Sequence, residues 1–180
     1  MADHMDGLDF AVEHDLPIPY LRRISTYYQA LGYGKPYRWA QYADVAFTPL
    51  RKKLADSRVS LIVTAAPYQP DKGDQGPGAP YNAAAKFYRV YSDSIAGEPD
   101  VRISHVGIDR KHTTAEDVNT WFPLKQLKRL AAEGMIGEVA PRFHGAPTNR
   151  SQKITIEQDC VDILERVRAD GSDAAVIVAN

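Results

Sequence analysis

The chain has 180 residues, 44% of them hydrophobic and 25% charged, with a formal net charge of -1 at pH 7, which gives one domain with room for a sizeable core and provides no electrostatic footprint for nucleic acid or an anionic membrane. A single cysteine, Cys160, excludes an internal disulfide framework and a multi-cysteine metal centre, and suits the reducing cytoplasm.

The acidic start, MADHMDGLDFAVEHDL, has neither the basic head nor the apolar stretch of a signal peptide, and no later run approaches a membrane span. A Tyr-rich helix is expected within LPIPYLRRISTYYQALGYGKPYRW, stopped near Gly32 and Gly34. The first core strand is expected at Val59 to Thr64, after a short helix in PLRKKLADSR. Dense in Gly and Pro, PDKGDQGPGAPYN reads as a surface loop that covers a site. FYRVYSD reads as a short edge strand and Val101 to Val106 as a second sheet strand.

From Phe122 the period changes: Leu124, Leu127, Leu130 and Ala131 recur at helical spacing, with Pro123 in the first turn and Glu133-Gly134 at the stop. MIGEVA is a short strand or extended connection, and RFHGAPTNRS is turn-rich. In the last helix Ile156, Cys160, Ile163, Leu164 and Val167 share a face, which makes Cys160 a small core residue rather than a nucleophile. Gly171 closes that helix before a final Ala/Val/Ile strand expected to be covered on both sides. Alternating strands and helices imply an α/β fold, a mainly parallel sheet flanked by helices. Two regions are expected, a Tyr-rich N-terminal one over residues 1–56 and the α/β domain over 57–180.

The densest polar cluster follows the second strand and holds His105, Asp109, His112, Thr113, Thr114, Asp117 and Asn119. In a parallel α/β sheet that is a ligand-site position, because ligands bind beyond the carboxyl ends of the strands. A histidine beside carboxylates can move a proton near neutral pH or bind an ammonium group. The same residues also fit a buried histidine satisfied by backbone, with Asp117 or Thr114 capping a helix. Their spacing matches no compact metal-binding pattern. His144 either returns to the same edge and lines the pocket or sits in solvent.

The motifs Val59-Ser60-Leu61, Ser104-His105 with Asp109, Asp117-Val118-Asn119 with Phe122-Pro123, and Glu133-Gly134-Met135-Ile136-Gly137 with Ala140 resemble those of the glycine/sarcosine/betaine reductase component B and D-proline reductase family. The likeness covers roughly the last two thirds of the chain and implies an oxidoreductase that cleaves a C–N bond in a small amino-acid-like substrate. In that family the bond is broken by a cysteine or selenocysteine right after the strand corresponding to Asp173–Ala179. A thiolate or selenolate is needed there, since the attacking atom must be ionised and polarisable. The resemblance assigns proton handling to His105 and Asp109 and substrate contacts to Asp117, Asn119 and His144. Its redox residue is expected beyond Asn180, with no other cofactor, a thiol reductant or partner reductase subunit, and homo- or hetero-oligomers. On that expectation the 180 residues lack a C-terminal part and do not turn over alone. The alternative is a non-catalytic binding or assembly subunit.

Overall fold

A computed structural model describes residues 17–35, 42–46, 48–76, 79–103, 111–112, 115–147, 149 and 151–179. His105, Asp109, the acidic lead and Asn180 lie outside the described residues. The chain divides into two units, Met1–Val45 and Ala46–Asn180. In the first, the Tyr-rich segment forms α1 (Tyr20–Ala30), none of whose residues is buried. It ends on the Gly32 amide donating to Gln29 O, and the Tyr28 ring meets those of Tyr27 and Tyr33 edge-on.

The second unit is built on β1 (Arg58–Val63), β3 (Tyr91–Ser94), β5 (Glu138–Gly145) and β6 (Ala174–Val178), in the order β3-β5-β1-β6. β5 and β6 flank β1 in parallel, and β3 runs antiparallel on the outside of β5. The fold is therefore α/β with a mixed, mostly parallel sheet. Two short strands, β2 (Ala66–Pro67) and β4 (Val101–Arg102), form a separate antiparallel ribbon.

β1 is apolar at nearly every position because both of its sides are covered: Val59, Ser60, Leu61, Ile62 and Val63 are all buried. Side chains alternate across a strand, so Val59, Leu61 and Val63 share one face. Phe143 joins them, and Trp121, Phe122 and the helix α2 (Leu124–Ala132) close over them through Leu124 and Leu127. Phe143 meets Phe122 edge-on at 4.8 Å and Tyr91 at 5.9 Å, geometries that suit the charge distribution of aromatic rings.

Four expectations need correction. Of the strand expected at Val101–Val106, the described residues place Val101–Arg102 outside the main sheet: β4 pairs with Ala66–Pro67, and Pro67 has no amide to extend a ladder. RFHG is not a turn, because β5 continues through Pro141 by a register shift against β1 between Val59 and Leu61 and ends at Gly145. His144 is therefore a strand residue with no exposed surface. β6 is not covered on both faces but is an edge strand, with Ile177 70% exposed. Cys160 is exposed rather than core, for a helical reason. The last helix comprises α3 (Gln152–Ile154), a π-helical turn (Thr155–Asp159) and α4 (Cys160–Ala169). The π turn adds a residue to the helical repeat, so Ile156 and Cys160 rotate outward while Asp159 and Asp170 are buried.

The Gly/Pro-rich loop is tied by the buried Gln75. Its side chain donates to Gln69 O and Gly73 O at 2.7 and 3.1 Å and accepts from the Gln69 amide.

Two glycines admit close approaches. A Cβ at Gly137 would lie 2.9 Å from the Asp56 and Ser57 backbone, where its amide donates to Leu54 O and Ser57 O. At Gly145 it would lie 1.7 Å from the Tyr91 ring, which rests there so that its hydroxyl donates to Ala65 O at 2.8 Å. Gly145→Ala should therefore expel Tyr91 and cost about 1–3 kcal/mol of stability, measured by urea unfolding. A cost within error of zero would show that the ring is not confined there.

Candidate functional site at the carboxyl edge

Because β1, β5 and β6 are parallel, their carboxyl ends lie side by side, with Val63 opposite both Gly145 and Val178. Open α/β sheets bind ligands at such an edge. β2 leaves it directly from β1, and β4 returns along β2 with Arg102 opposite Ala66. The next residue, Ile103, packs against the core. β4 thus ends beside the carboxyl end of β1, and residues 104–110, with His105 and Asp109, lie outside the described residues.

The chain re-enters the core at Ala115, which is buried with φ +58, a left-handed backbone that alanine rarely adopts. The Trp121 indole holds it by donating to Ala115 O at 3.1 Å. A non-glycine residue in this conformation costs on the order of 1–3 kcal/mol, and such strain gathers at functional segments. Asp117 then caps the 3-10 turn Val118–Thr120, its carboxylate accepting from the Asn119 amide and from Asn119 Nδ2, both at 3.0 Å. Asn119 Oδ1 is enclosed without a hydrogen-bond partner among the described residues.

α2 follows this turn and reaches the amino end of β5 after only five residues, 133–137, so it runs against β5 and its first turn lies toward the carboxyl edge. A groove of about 410 Å³ lies along it, lined by Glu98, Pro99, Val118, Asn119, Phe122 and Lys125, among others. Lys128 closes one side by donating to Ile95 O and Gly97 O. The groove combines an apolar floor with groups of both charges.

His144 is elsewhere. Phe143 points into the apolar core, so His144 points to the other face of the sheet, and the structure does not bring it together with Asn119. Its Nδ1 lies 2.8 Å from Ser92 Oγ, and its Nε2 faces Asp170 Oδ2 at 3.3 Å without the alignment of a hydrogen bond. Ser92 Oγ also accepts from Arg166 Nη1 at 2.9 Å, so one hydroxyl ties the imidazole on β5 to α4. Arg142 holds the other Asp170 oxygen through Nε and Nη2 at 3.0 and 2.6 Å, and Arg166 clasps Asp162 at 2.6 and 3.1 Å. Ser92, Arg142 and Asp170 escaped the sequence reading. A usable signal was the series Asp162, Arg166 and Asp170, charges of alternating sign at every fourth residue along one helical stripe.

Burial holds the His144 pKa below its ordinary 6.5; Asp170 opposes the shift, while Arg142 and Arg166 add to it. The unfolded chain thus binds this proton before the folded one does. Stability should fall as pH drops below about 6.5 toward the lower folded value, with a slope of up to about 1.4 kcal/mol per pH unit. Urea unfolding at several pH values should show this decline, and His144→Gln should flatten it. Equal slopes in both proteins would exclude His144 as the source.

No protein-family model matches the chain, and no solved structure does. The chain is 31% identical over 136 residues to D-proline reductase subunit gamma of Acetoanaerobium sticklandii, a stretch that covers 74% of this chain and 52% of that protein. It thus spans about half the length of this relative. Together with the Asp-x-Asn-x-x-Phe-Pro and Glu-Gly-x-Ile-Gly motifs, which now have structural roles in the capped turn, the start of α2 and the Gly137 approach, this similarity identifies the lineage: the chain belongs to the D-proline/glycine reductase family.

Proposed function

We propose that this protein takes part in the reductive cleavage of a C–N bond in a small amino-acid-like substrate, with the chemistry at the carboxyl edge of β1, β5 and β6. The similarity to a D-proline reductase subunit carries the reading. The adjacent carboxyl ends of β1, β5 and β6, to which β4 returns with Ile103 in the core, support it.

In this reading a cysteine or selenocysteine following β6 attacks the substrate carbon, and the C–N bond breaks with its electron pair leaving on nitrogen. His105, oriented by Asp109, protonates the departing amine. One thiolate of a dithiol then attacks that sulfur or selenium, the C–S or C–Se bond breaks with its pair on carbon, where a proton completes the C–H bond, and the second thiol closes the disulfide and releases the cysteine or selenocysteine. Asp117 and Asn119 contact the polar groups of the substrate at the upper end of the groove. There Glu98 and Lys125 offer opposite charges about an apolar floor, the complement of a zwitterion. His144 bears on the substrate only through the strand it holds, since its ring is enclosed. The reductase-like part is residues 57–180, working with a dithiol donor or partner reductase subunit in the cytoplasm. A second reading is a binding or assembly subunit without turnover of its own, which the apolar-floored groove between Glu98 and Lys125 would serve equally.

Protein translated from the whole gene, supplied with a dithiol and with D-proline, glycine, sarcosine or betaine, should release the reduced product. His105→Ala should lower kcat by about a hundredfold or more with the circular dichroism spectrum unchanged. Asn119→Ala should raise KM more than it lowers kcat. Thermal stabilisation by one of these compounds without product would support the binding subunit instead, and neither stabilisation nor product would defeat both readings.

A further inference from the structure

We propose that Lys125 and Lys128 of α2 hold the carboxylate of a small amino-acid-like ligand in the groove along that helix, which makes Lys128 a specificity-determining residue. The inference deepens the reading of the groove as the substrate site and rests on it. The two lysines are one helical turn apart, so they share a flank of the helix, and both line the groove. Among the described residues neither has a carboxylate partner. Arg129, the remaining cation of α2, is taken by Glu133 and Gln126, and the helix contains no acidic residue. Like charges one turn apart oppose each other. An anion seated between them removes that repulsion.

Lys128 is already fixed for such a task. Its partly buried ammonium donates to Ile95 O at 2.6 Å and to Gly97 O at 3.3 Å. An ammonium group has three hydrogens to donate, so one is left over. Both carbonyls are neutral: they orient the group without cancelling its charge, and partial removal from water strengthens the pull of that charge on an anion. The tether is itself anchored, because the Ile95 amide donates to Pro141 O at 3.1 Å and the Ile95 side chain packs on the core. Most of the rotamer entropy that a free lysine loses on binding an anion has thus been lost on folding.

The rest of the groove sets the orientation of the ligand. Glu98 follows Gly97 and lines the groove without an ion pair among the described residues, so the amine belongs on its side. Val118, Phe122 and Leu124 offer apolar surface to the carbon skeleton. Replacing the carboxylate by an amide would leave the lysines without an anion.

Two ring compounds separate the charges: cyclopentanecarboxylate has the carboxylate without the amine, and pyrrolidine has the amine without the carboxylate. Their binding to the whole chain, followed by broadening of the ligand NMR lines, needs no turnover. Cyclopentanecarboxylate should bind the wild type, and about tenfold or more weakly Lys128→Met and Lys125→Met, each of which loses a charge-assisted hydrogen bond. Arg129→Met, which removes the same charge one residue away, should bind it as the wild type does. Pyrrolidine should keep its affinity in both lysine variants, which separates recognition of the carboxylate from a mere loosening of the loop. No binding of cyclopentanecarboxylate to the wild type, its undiminished binding to either lysine variant, or equal weakening of both compounds would overturn the assignment. Reduction of D-proline with an unchanged KM in Lys128→Met would overturn it too and leave the reaction standing. Lysine-dependent binding without any reduction would support it and leave only the binding-subunit reading of the function.

Discussion

A strand buried on both faces needs a neighbour on each side and a layer above and below, and the second unit is the solution to that demand for β1. β5 and β6 satisfy its backbone. Aromatic side chains and α2 cover Val59, Leu61 and Val63, while Ser60 and Ile62 lie under the polar face. Phe143 links these layers, since its ring touches Phe122 beside α2 and Tyr91 on β3. Its place depends on the register shift near Pro141 that sets Phe143 opposite Leu61 and His144 opposite Ile62. The shift amounts to two residues, so it moves Phe143 and His144 along β1 while leaving each on its own face.

The two faces are held by different physics. Contact on the apolar face is non-directional, and its strength follows the area withdrawn from water. On the other face α4 is oriented by directed bonds: Arg166 to Ser92, Arg142 to Asp170, and Arg58 Nη1 to Asp170 O at 2.6 Å. Buried ionic groups contribute little net stability, because desolvation offsets their attraction, but removing one partner leaves the other exposed to the full cost. Such a network fixes the angle of α4 more than it stabilises the unit. The π turn upstream completes this arrangement: it brings Asp159 inward, where Asn149 donates to it at 2.6 Å beside the carboxyl end of β5.

What the sequence made legible follows from these two kinds of contact. β1 and α2 are readable because their partners are apolar and their periods regular, and β3 because its alternation ends in hydroxyls and an acid. β5 is obscured by Pro141, which ordinarily marks an edge or an interruption and here sits within a register shift. The rotation of α4 was hidden because its apolar residues do recur at helical spacing, yet directed ionic contacts and one π turn decide which side faces the sheet. The return of β4 to the carboxyl end of β1 was not legible, because it depends on a two-residue ribbon too short to leave a periodic signal. His144 shows the converse: its residue type suggested a site, and its strand position encloses it.

The rotation of α4 also decides which of its flanks meets the sheet. Asp162 and Arg166 lean toward Ser92 on β3, the strand at the opposite edge from β6. By helical geometry Leu164, two residues from Arg166, points away from the Arg166–Ser92 contact. Ile156 and Leu164 are 51% and 47% exposed, and Ile177 projects from the same face of the sheet as Ile62, its partner in the ladder. The directed ties thus take the flank of α4 that meets β5 and β3, and its apolar residues on the other flank stay exposed.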